Sequence, residues 1–252
     1  MPVIAAAAAA HATRRRAASN GVGFWHSTYL GANRYRPDPG GPPPQGALYP
    51  MAFLVEQDAD QTVGAHFHQA DQFQVMVAGE GTLGRHEVAP VTVHFTGAYS
   101  PYGPIRAGAD GVTYFTLRNG WDPGARYMPG ARAELPRPRT YREAVAPPLA
   151  LPHGAIRAGT PDAIPVLTAE PDGLAAWRYR LGAGAALTGP DPAAGAGQYW
   201  LVLGGRLDHD GTALAPLSLL FVTPEEAGLA ATAGPEGLDV LALQFPRHTD
   251  RS

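Results

Sequence analysis

Two histidines separated by one residue carry the clearest chemical signal in this 252-residue sequence. They are His66 and His68 of the segment VGAHFHQADQFQV, and Gln72 and Gln74 follow them. Residues two apart in a β-strand point to the same side, so both imidazoles can face one way and both carboxamides can face together on the next strand. His66, His68 and Gln72 are therefore candidate ligands of one divalent transition metal: Fe, Mn, Ni, Zn or Cu. The chain has no cysteine, which limits its metal ligands to nitrogen and oxygen.

Tyr102 and Arg106, in the segment PYGPIRAGAD, form a second group of candidate catalytic and substrate-binding residues. A guanidinium stays protonated and cannot bind a metal. Arg106 is therefore expected either to anchor a substrate carboxylate, enolate or phosphate or to extend into solvent. Tyr102 and Gln74 are expected to contact the same substrate. Because Gln72 adds no charge to two imidazoles, this set of residues favours a small organic anion as the substrate.

His94 is the alternative third metal ligand, since it lies on a strand between these two groups. Thr92 shares its side of the strand, whereas Val93 and Phe95 occupy the other side. The alternation predicts that His94 faces away from the site, which makes it the less favoured ligand. The other histidines considered have no comparable context and are expected at surface or capping positions: His26, His86, His153, His209 and His248.

The composition indicates a folded, all-β protein. Apolar residues make up 45% of the chain, and 31 glycines and 26 prolines punctuate short runs of β-branched and aromatic residues. Charged residues make up only 16% and the net charge is −3, so no basic surface is available for phosphate backbones or anionic lipid. We therefore expect a cytoplasmic protein that acts on a small molecule and has no nucleic-acid or membrane partner.

The sequence repeats itself at a constant offset of 126 residues, half of its length. Three strand-like segments with their turns align at this offset without gaps: 72–79 with 198–205, 89–95 with 215–221, and 107–117 with 233–243. Chance seldom keeps one register across three separate units. The chain is therefore predicted to contain two copies of one fold.

The second copy lacks the candidate ligands of the first. At the offset of 126 residues, His66, His68 and Arg106 correspond to residues that provide no ligand set: Pro192, Ala194 and Thr232. Trp177, Trp200 and aliphatic residues are expected to fill the interior of this copy. Its expected role is structural, either covering a sheet edge or forming a homodimer.

The first copy resembles the cupin superfamily, and the duplicated chain resembles a bicupin. The segment at 66–68, followed by Gln72 and Gly79, is similar to the first cupin motif, H-x-H with a carboxylate and then a glycine. Glutamine stands here in place of the usual glutamate. Residues 101–110 are similar to the second motif, P-x-G-x-x-H-x-x-x-N, with Arg106 at the position of the family's third histidine. The resemblance implies two tandem cupin-like jelly-roll β-barrels with a metal site in the first.

This organisation predicts four segments: an Ala/Arg-rich arm at 1–22, a barrel with the site at 23–120, a Pro-rich connector at 121–165 and a second barrel at 166–252. The alanine run of the arm is expected to form either a short helix or a frayed tail, and the tail is favoured. The connector is expected to be extended, with at most one short helix around residues 140–145.

Three functional hypotheses remain open at this point. The first is a metal-dependent enzyme that isomerises, cyclises or eliminates, with dioxygenation also open. The second is a metal-free enzyme in which His66 or His68 is a general base and Arg106 stabilises an oxyanion. The third is a binding or assembly module without catalysis.

Overall fold

The structure is a computed structural model that describes residues 1–33, 37, 39–44, 46–149 and 163–247. The chain divides into two compact units. The N-terminal unit is His11–Ala150, and the C-terminal unit joins Met1–Ala10 to Leu151–Ser252. None of the helices in the described part of the chain has the length and apolarity that a membrane crossing requires.

The N-terminal unit is built around one large antiparallel sheet. Up to residue 149 the chain forms these elements in order: β1 (Val3–Ala5), α1 (Ala7–His11), β2 (Arg15–Ser19), β3 (Val22–Leu30), β4 (Leu48–Gln57), β5 (Thr62–Val63), β6 (His66–Phe67), β7 (Gln72–Leu83), β8 (His86–Val88), β9 (Thr92–Thr96), β10 (Ile105–Gly120), β11 (Arg126–Tyr127), a 3-10 helix (Gly130–Glu134) and β12 (Glu143–Ala146). The strand order in the sheet is β12-β9-β7-β10-β4-β3-β2, with β5 on β10 and β8 on β7. β6 and β11 form a separate pair.

The C-terminal unit has a second sheet of the same kind. From residue 163 onward the described elements are β13 (Ile164–Leu167), β14 (Ala175–Leu181), β15 (Ala186–Thr188), a 3-10 helix (Pro192–Ala194), β16 (Gln198–His209), β17 (Thr212–Leu214), β18 (Leu219–Val222) and β19 (Ala230–Gln244). Their strand order is β18-β16-β19-β14-β13, with β15 on β19 and β17 on β16.

The two units confirm the internal duplication. β16 begins and ends 126 residues after β7, and β17 begins and ends 126 residues after β8. The order β9-β7-β10-β4 in the first sheet corresponds to β18-β16-β19-β14 in the second. Each unit is a cupin-like barrel, as the repeat predicts.

The N-terminal arm is not a frayed tail. β1 pairs with β18 of the C-terminal unit, and β2 pairs with β3 of the N-terminal unit. The side chain of Arg14 donates two hydrogen bonds to Glu56 and lies 4.0 Å from the centre of the Trp25 ring. The arm is ordered because the sheets offer unpaired backbone edges, and a short segment gains hydrogen bonds by adding to an edge.

The connector also differs from its prediction. The one short helix that the sequence allowed around residues 140–145 is absent there, and the connector is not simply extended, because β12 pairs with β9, with Val145 opposite His94. A strand is favoured because the outer edge of β9 supplies backbone partners that an isolated one-turn helix lacks.

The interior of the C-terminal barrel is filled by side chains, as the sequence predicts. Trp200 is fully buried and packs with Tyr179 and aliphatic residues, and Trp177 packs against the same core. Gln198 donates to Gln244 at 2.9 Å, and Trp200 donates to Gln198 at 3.1 Å. The polar groups of this interior therefore satisfy one another.

Gly79 permits the close approach of β7 and β10. Its φ is +70°, and a Cβ atom at this position would lie 2.1 Å from the carbonyl oxygen of Gly111. We expect Gly79→Ala to lower the free energy of unfolding by about 2–3 kcal/mol in chemical denaturation, through backbone strain and overpacking. Gly21→Ala is the matched control, because φ is +80° but no atom lies within 4 Å of the added Cβ. Equal losses for the two variants would contradict a role for the close approach.

Candidate active site

A cavity of about 100 Å³ lies inside the N-terminal barrel. Its polar wall comes from the H-x-H segment, β7, β10 and the loops beside β6 and β11: His66, His68, Gln72, Gln74, Tyr102, Tyr114, Thr116, Arg118, Asp122 and Tyr127. Its apolar wall comes mainly from β3 and β4: Phe24, Met51, Phe53 and Val55. The alternation of β7 and β10 turns polar side chains into the barrel while Phe73, Val75, Phe115 and Leu117 are buried on the opposite face.

His66 is held by its own motif and by Tyr102. Its backbone pairs with that of Tyr102, and the two rings lie 4.5 Å apart. Nδ1 of His66 lies 2.7 Å from the carbonyl oxygen of Gly64, which accepts its proton and leaves the ring lone pair on Nε2. Burial, and then the electrostatic effect of neighbouring His68, lower the pKa of His66 to about 3. The imidazole of His66 is therefore neutral at physiological pH.

His68 forms a buried pair with Asp122. Its Nδ1 lies 2.7 Å from Oδ1 of Asp122 and 3.1 Å from Nη2 of Arg118. We assign the ring proton to Nδ1, because a lone pair there would face a carboxylate oxygen, while Arg118 has another acceptor in Gln72. The lone pair of His68 is then on Nε2.

The loop after β10 holds Asp122 in place. The backbone N–H of Gln69 donates to its Oδ2 at 2.7 Å, and that of Gly124 donates to its Oδ1 at 2.8 Å. Burial would raise the pKa of Asp122. The positive charge of Arg118, the electrostatic effect of His68 and the hydrogen bonds from His68 and Gln69 hold it well below its ordinary value. Asp122 is therefore a carboxylate that orients His68.

Arg118, Gln72 and Tyr102 form a buried chain of hydrogen bonds. Nε and Nη2 of Arg118 donate to Oε1 of Gln72 at 3.0 and 2.6 Å. Nε2 of Gln72 then donates to the Tyr102 hydroxyl at 2.8 Å. Burial raises the pKa of Tyr102 above its ordinary value, and the hydrogen bond from Gln72 only partly offsets this rise. Tyr102 is therefore a neutral phenol.

His94 lies on the side of the sheet opposite to the one predicted. It stands directly across from Gln74, and residues directly opposite in an antiparallel pair point to the same side. Its Nδ1 lies 3.0 Å from Oε1 of Gln74, and its Nε2 lies 3.2 Å from Oε1 of Glu143. The alternation of Thr92 and His94 with Val93 and Phe95 does not reveal which side of β9 faces inward. His94 does not itself line the cavity: one ring nitrogen contacts Gln74, which does, and the other contacts Glu143.

Arg106 is not part of the cavity wall. Its side chain is exposed at the start of β10, between the buried residues Ile105 and Ala107. Alternation along the strand turns those two neighbours inward and Arg106 outward. The prediction that Arg106 anchors a substrate or stabilises an oxyanion is therefore wrong, and the solvent alternative is the one observed.

The structure brings the other predicted residues together and corrects two histidine expectations. His66, His68, Gln72, Gln74 and Tyr102 all line the one cavity. Among the histidines expected at the surface, His86 is half-buried, whereas the two others in the described range are fully or nearly fully buried: His26, stacked on Phe53, and His209. His153 and His248 lie outside the described residues.

Sequence reasoning missed the charged pair of Arg118 and Asp122. A signal existed in β10, because Tyr114, Thr116 and Arg118 alternate with Phe115 and Leu117 on a strand that must face the barrel interior. For Asp122, no comparable signal existed. Its contact with His68 spans 54 residues of chain and depends on the loop that follows β10.

The donor set fits a metal ion only in part. Two imidazoles that share one metal through Nε2, with bonds of ~2.1 Å, have ring centroids about 4.5–5.2 Å apart. The rings of His66 and His68 are 5.2 Å apart, and both Nδ1 atoms have the acceptor partners typical of metal-bound histidines. However, the oxygen of Gln72 accepts two hydrogen bonds from Arg118, whose charge repels a cation. Within the described residues, no group of three or more His, Cys, Asp or Glu side chains is arranged to hold a metal.

Comparison with solved structures identifies the fold. The chain is similar to the bacterial pirin YhhW from Escherichia coli in complex with nickel(II), with a TM-score of 0.60, 12% identity and coverage of 98% of this chain and 100% of that one. It is similar to the formate complex of Lactobacillus farciminis oxalate decarboxylase (TM-score 0.57, 10% identity, 95% and 86% coverage). It is also similar to the coconut allergen cocosin (TM-score 0.56, 12% identity, 97% and 85% coverage). The sequence matches no protein-family model, and no curated protein matches it.

These similarities, with the duplicated strand order, define the fold. The chain has a bicupin fold, which confirms the architecture predicted from the repeat and the H-x-H motif. Identities of 10–12% establish the fold alone, so the function must be argued from the cavity.

Proposed function

We propose that the N-terminal barrel is the active site of a small-molecule enzyme of cupin type that transfers protons within a carbonyl-containing substrate. The observation that supports this most directly is the 2.7 Å hydrogen bond between Nδ1 of His68 and the buried carboxylate of Asp122. A carboxylate in this position fixes the histidine tautomer and stabilises the imidazolium that forms when Nε2 accepts a proton. His68 is therefore the general base, and Asp122 is the residue that orients it.

The proposed reaction needs no external oxidant or reductant. His68 takes a proton from the carbon next to the carbonyl group, and the electron pair of the broken C–H bond forms an enolate. Delivery of a proton from the His68 imidazolium, which can exchange with solvent, to a different carbon completes an isomerisation. Departure of a leaving group with its electron pair from the neighbouring carbon gives an elimination. The apolar wall of β3 and β4 supports this chemistry, because a barrel interior shielded from water protects an enolate from unwanted protonation.

The test is hydrogen–deuterium exchange with chelated protein. The enzyme is dialysed against EDTA, transferred to D₂O and incubated with a panel of ketones, β-hydroxy ketones and enones, and NMR follows the protons next to each carbonyl. We expect at least one compound to exchange faster than in buffer and to keep that rate after chelation. The absence of exchange for the whole panel, before and after chelation, would contradict the proposal and favour a non-catalytic binding module.

A metal-dependent reaction at the same place is the second candidate. It is favoured by the Nδ1 partners of His66 and His68, and by the similarity to a pirin that binds nickel(II). His66 and His68 would hold the ion through Nε2, and it would polarise a carbonyl or carboxylate oxygen as a Lewis acid. Metal analysis by mass spectrometry decides between the candidates: about one equivalent that is absent from His66→Ala/His68→Ala, and whose removal by EDTA abolishes the exchange activity of the wild type, would establish this second one.

A further inference from the structure

We propose that Tyr102 donates a hydrogen bond to the carbonyl oxygen of a neutral, apolar substrate, and that Arg118 and Gln72 are positioning residues that fix the direction of its O–H bond. This inference deepens the proposed function, on which it rests for the carbonyl class of the substrate. It concerns the group that donates a hydrogen bond to the carbonyl oxygen, whereas the pair of His68 and Asp122 provides the general base.

Arg118 determines which way the amide of Gln72 points. A guanidinium carries only N–H donors, so the amide atom that faces it at 2.6 and 3.0 Å must be the oxygen. Both residues are buried, with 3% of Arg118 and none of Gln72 exposed. A flipped amide would place two donors against each other without water, so this orientation of Gln72 is fixed.

The orientation of Gln72 in turn determines the direction of the Tyr102 hydroxyl. The amide NH₂ can only donate, so the Tyr102 oxygen, 2.8 Å away, accepts. The hydroxyl hydrogen must then point away from Gln72. In the described part of the chain no acceptor is within hydrogen-bond distance for this hydrogen, and Tyr102 lines the cavity, so a ligand oxygen is its natural acceptor.

The same contacts indicate a neutral ligand. Nε and Nη2 of Arg118 already donate to Gln72. The buried carboxylate of Asp122 balances the positive charge of Arg118, with 3.6 Å between Nη1 and Oδ1. Among the described residues that line the cavity, Tyr102 therefore offers a directed O–H donor beside apolar walls such as Phe53 and Val55, and the guanidinium of Arg118 is already paired. An aromatic or aliphatic ketone fits these features better than a carboxylate does.

The experiment uses acetophenone with a ¹³C-labelled carbonyl group as the probe. Isotope-edited infrared spectroscopy measures the carbonyl stretch, which falls when the oxygen accepts a hydrogen bond. We expect a lowered stretch for the probe bound to the wild-type protein, and tighter binding of acetophenone than of benzoate. A bound carbonyl with the frequency it has in an apolar solvent, no binding of the probe, or tighter binding of benzoate would each overturn the proposal.

Two variants remove the donor in different ways. Tyr102→Phe keeps the ring and deletes the hydroxyl. Gln72→Glu presents a second carboxylate oxygen to Tyr102, which then donates to Glu and no longer to the ligand. Both are expected to abolish the shift of the carbonyl stretch and to weaken acetophenone binding roughly 3- to 10-fold, the worth of one neutral hydrogen bond. Gln61→Glu, the same change at an exposed position, is the control and is expected to bind like wild type.

Failure of this inference can be separated from failure of the proposed function. Infrared shift and affinity require no turnover, so a protein that shifts the carbonyl stretch but exchanges no protons contradicts the reaction and supports the donor. A protein that exchanges protons with an unshifted carbonyl contradicts the donor alone. If Gln72→Glu fails to fold by thermal unfolding, Tyr102→Phe still decides, because an unchanged stretch in that variant overturns the proposal.

Discussion

Replacement of Asp122 by asparagine is expected to slow deuterium exchange of the active compound by about 10²–10⁴-fold, the range for loss of an oriented histidine base. Asp122 accepts from His68 and Gly124 at one oxygen and from Gln69 at the other. An asparagine must direct its NH₂ toward one of these donors. Either His68 loses its acceptor and changes tautomer, or the loop that holds the side chain loses a contact.

Asp71→Asn provides the control for this experiment. Asp71 is also nearly buried and belongs to the segment that contains His68, but its Oδ1 accepts from the backbone N–H of Ala98, and it does not line the cavity. We expect Asp71→Asn to retain the exchange rate of the wild type. A rate for Asp122→Asn within threefold of the Asp71→Asn rate would remove His68 and Asp122 from the mechanism.

Replacement of Arg118 by methionine is expected to lower the free energy of unfolding by about 3–5 kcal/mol, measured by chemical denaturation. The substitution leaves the carboxylate of Asp122 buried without its cationic neighbour and deprives the Gln72 oxygen of two donors. Arg106→Met, the same change at an exposed position on the same strand, is expected to cost less than about 0.5 kcal/mol. Similar losses for the two variants would show that the buried arginine does not stabilise the site.

The second barrel suggests how to rescue the loss of Arg118. At the equivalent position, 126 residues later, Gln244 accepts a hydrogen bond from Gln198, the counterpart of Gln72. Arg118→Gln combined with Asp122→Asn recreates that neutral pair and removes the buried charge. We expect the double variant to be more stable than Arg118→Gln alone. A further loss of stability would mean that Asp122 stabilises the fold without Arg118.

The architecture was accessible from the sequence because it depends on many residues at once. The offset of 126 residues placed β7 over β16 and β8 over β17, and alternation of Gln72 and Gln74 with Phe73 identified the inward face of β7. The arm and β12 were mispredicted because edge strands take their stability from a partner. Residues 143–146 have little β preference of their own and form a strand because β9 is adjacent.

The site was only partly accessible, for a related reason. His66, His68, Gln72 and Tyr102 follow one another in motifs with a fixed spacing, so local patterns were sufficient to group them. Local patterns did not reveal which arginine lies in the cavity. Arg106 occupies the position of a ligand in the second cupin motif and yet turns outward, whereas Arg118 turns inward. The side of β10 on which each arginine lies decides whether it enters the cavity, and the sequence does not show which side of β10 faces the barrel interior.

The two barrels differ in what fills their interiors: large side chains in the C-terminal copy and a cavity in the N-terminal copy. Trp200 stands where the first barrel has Gln74, and Gln244 stands where it has Arg118. The same strand arrangement thus supports a filled core or a polar cavity, depending on a few side chains of two neighbouring strands. The cavity could therefore be engineered into the C-terminal barrel. Large interior side chains such as Trp200 would first have to be replaced by smaller ones.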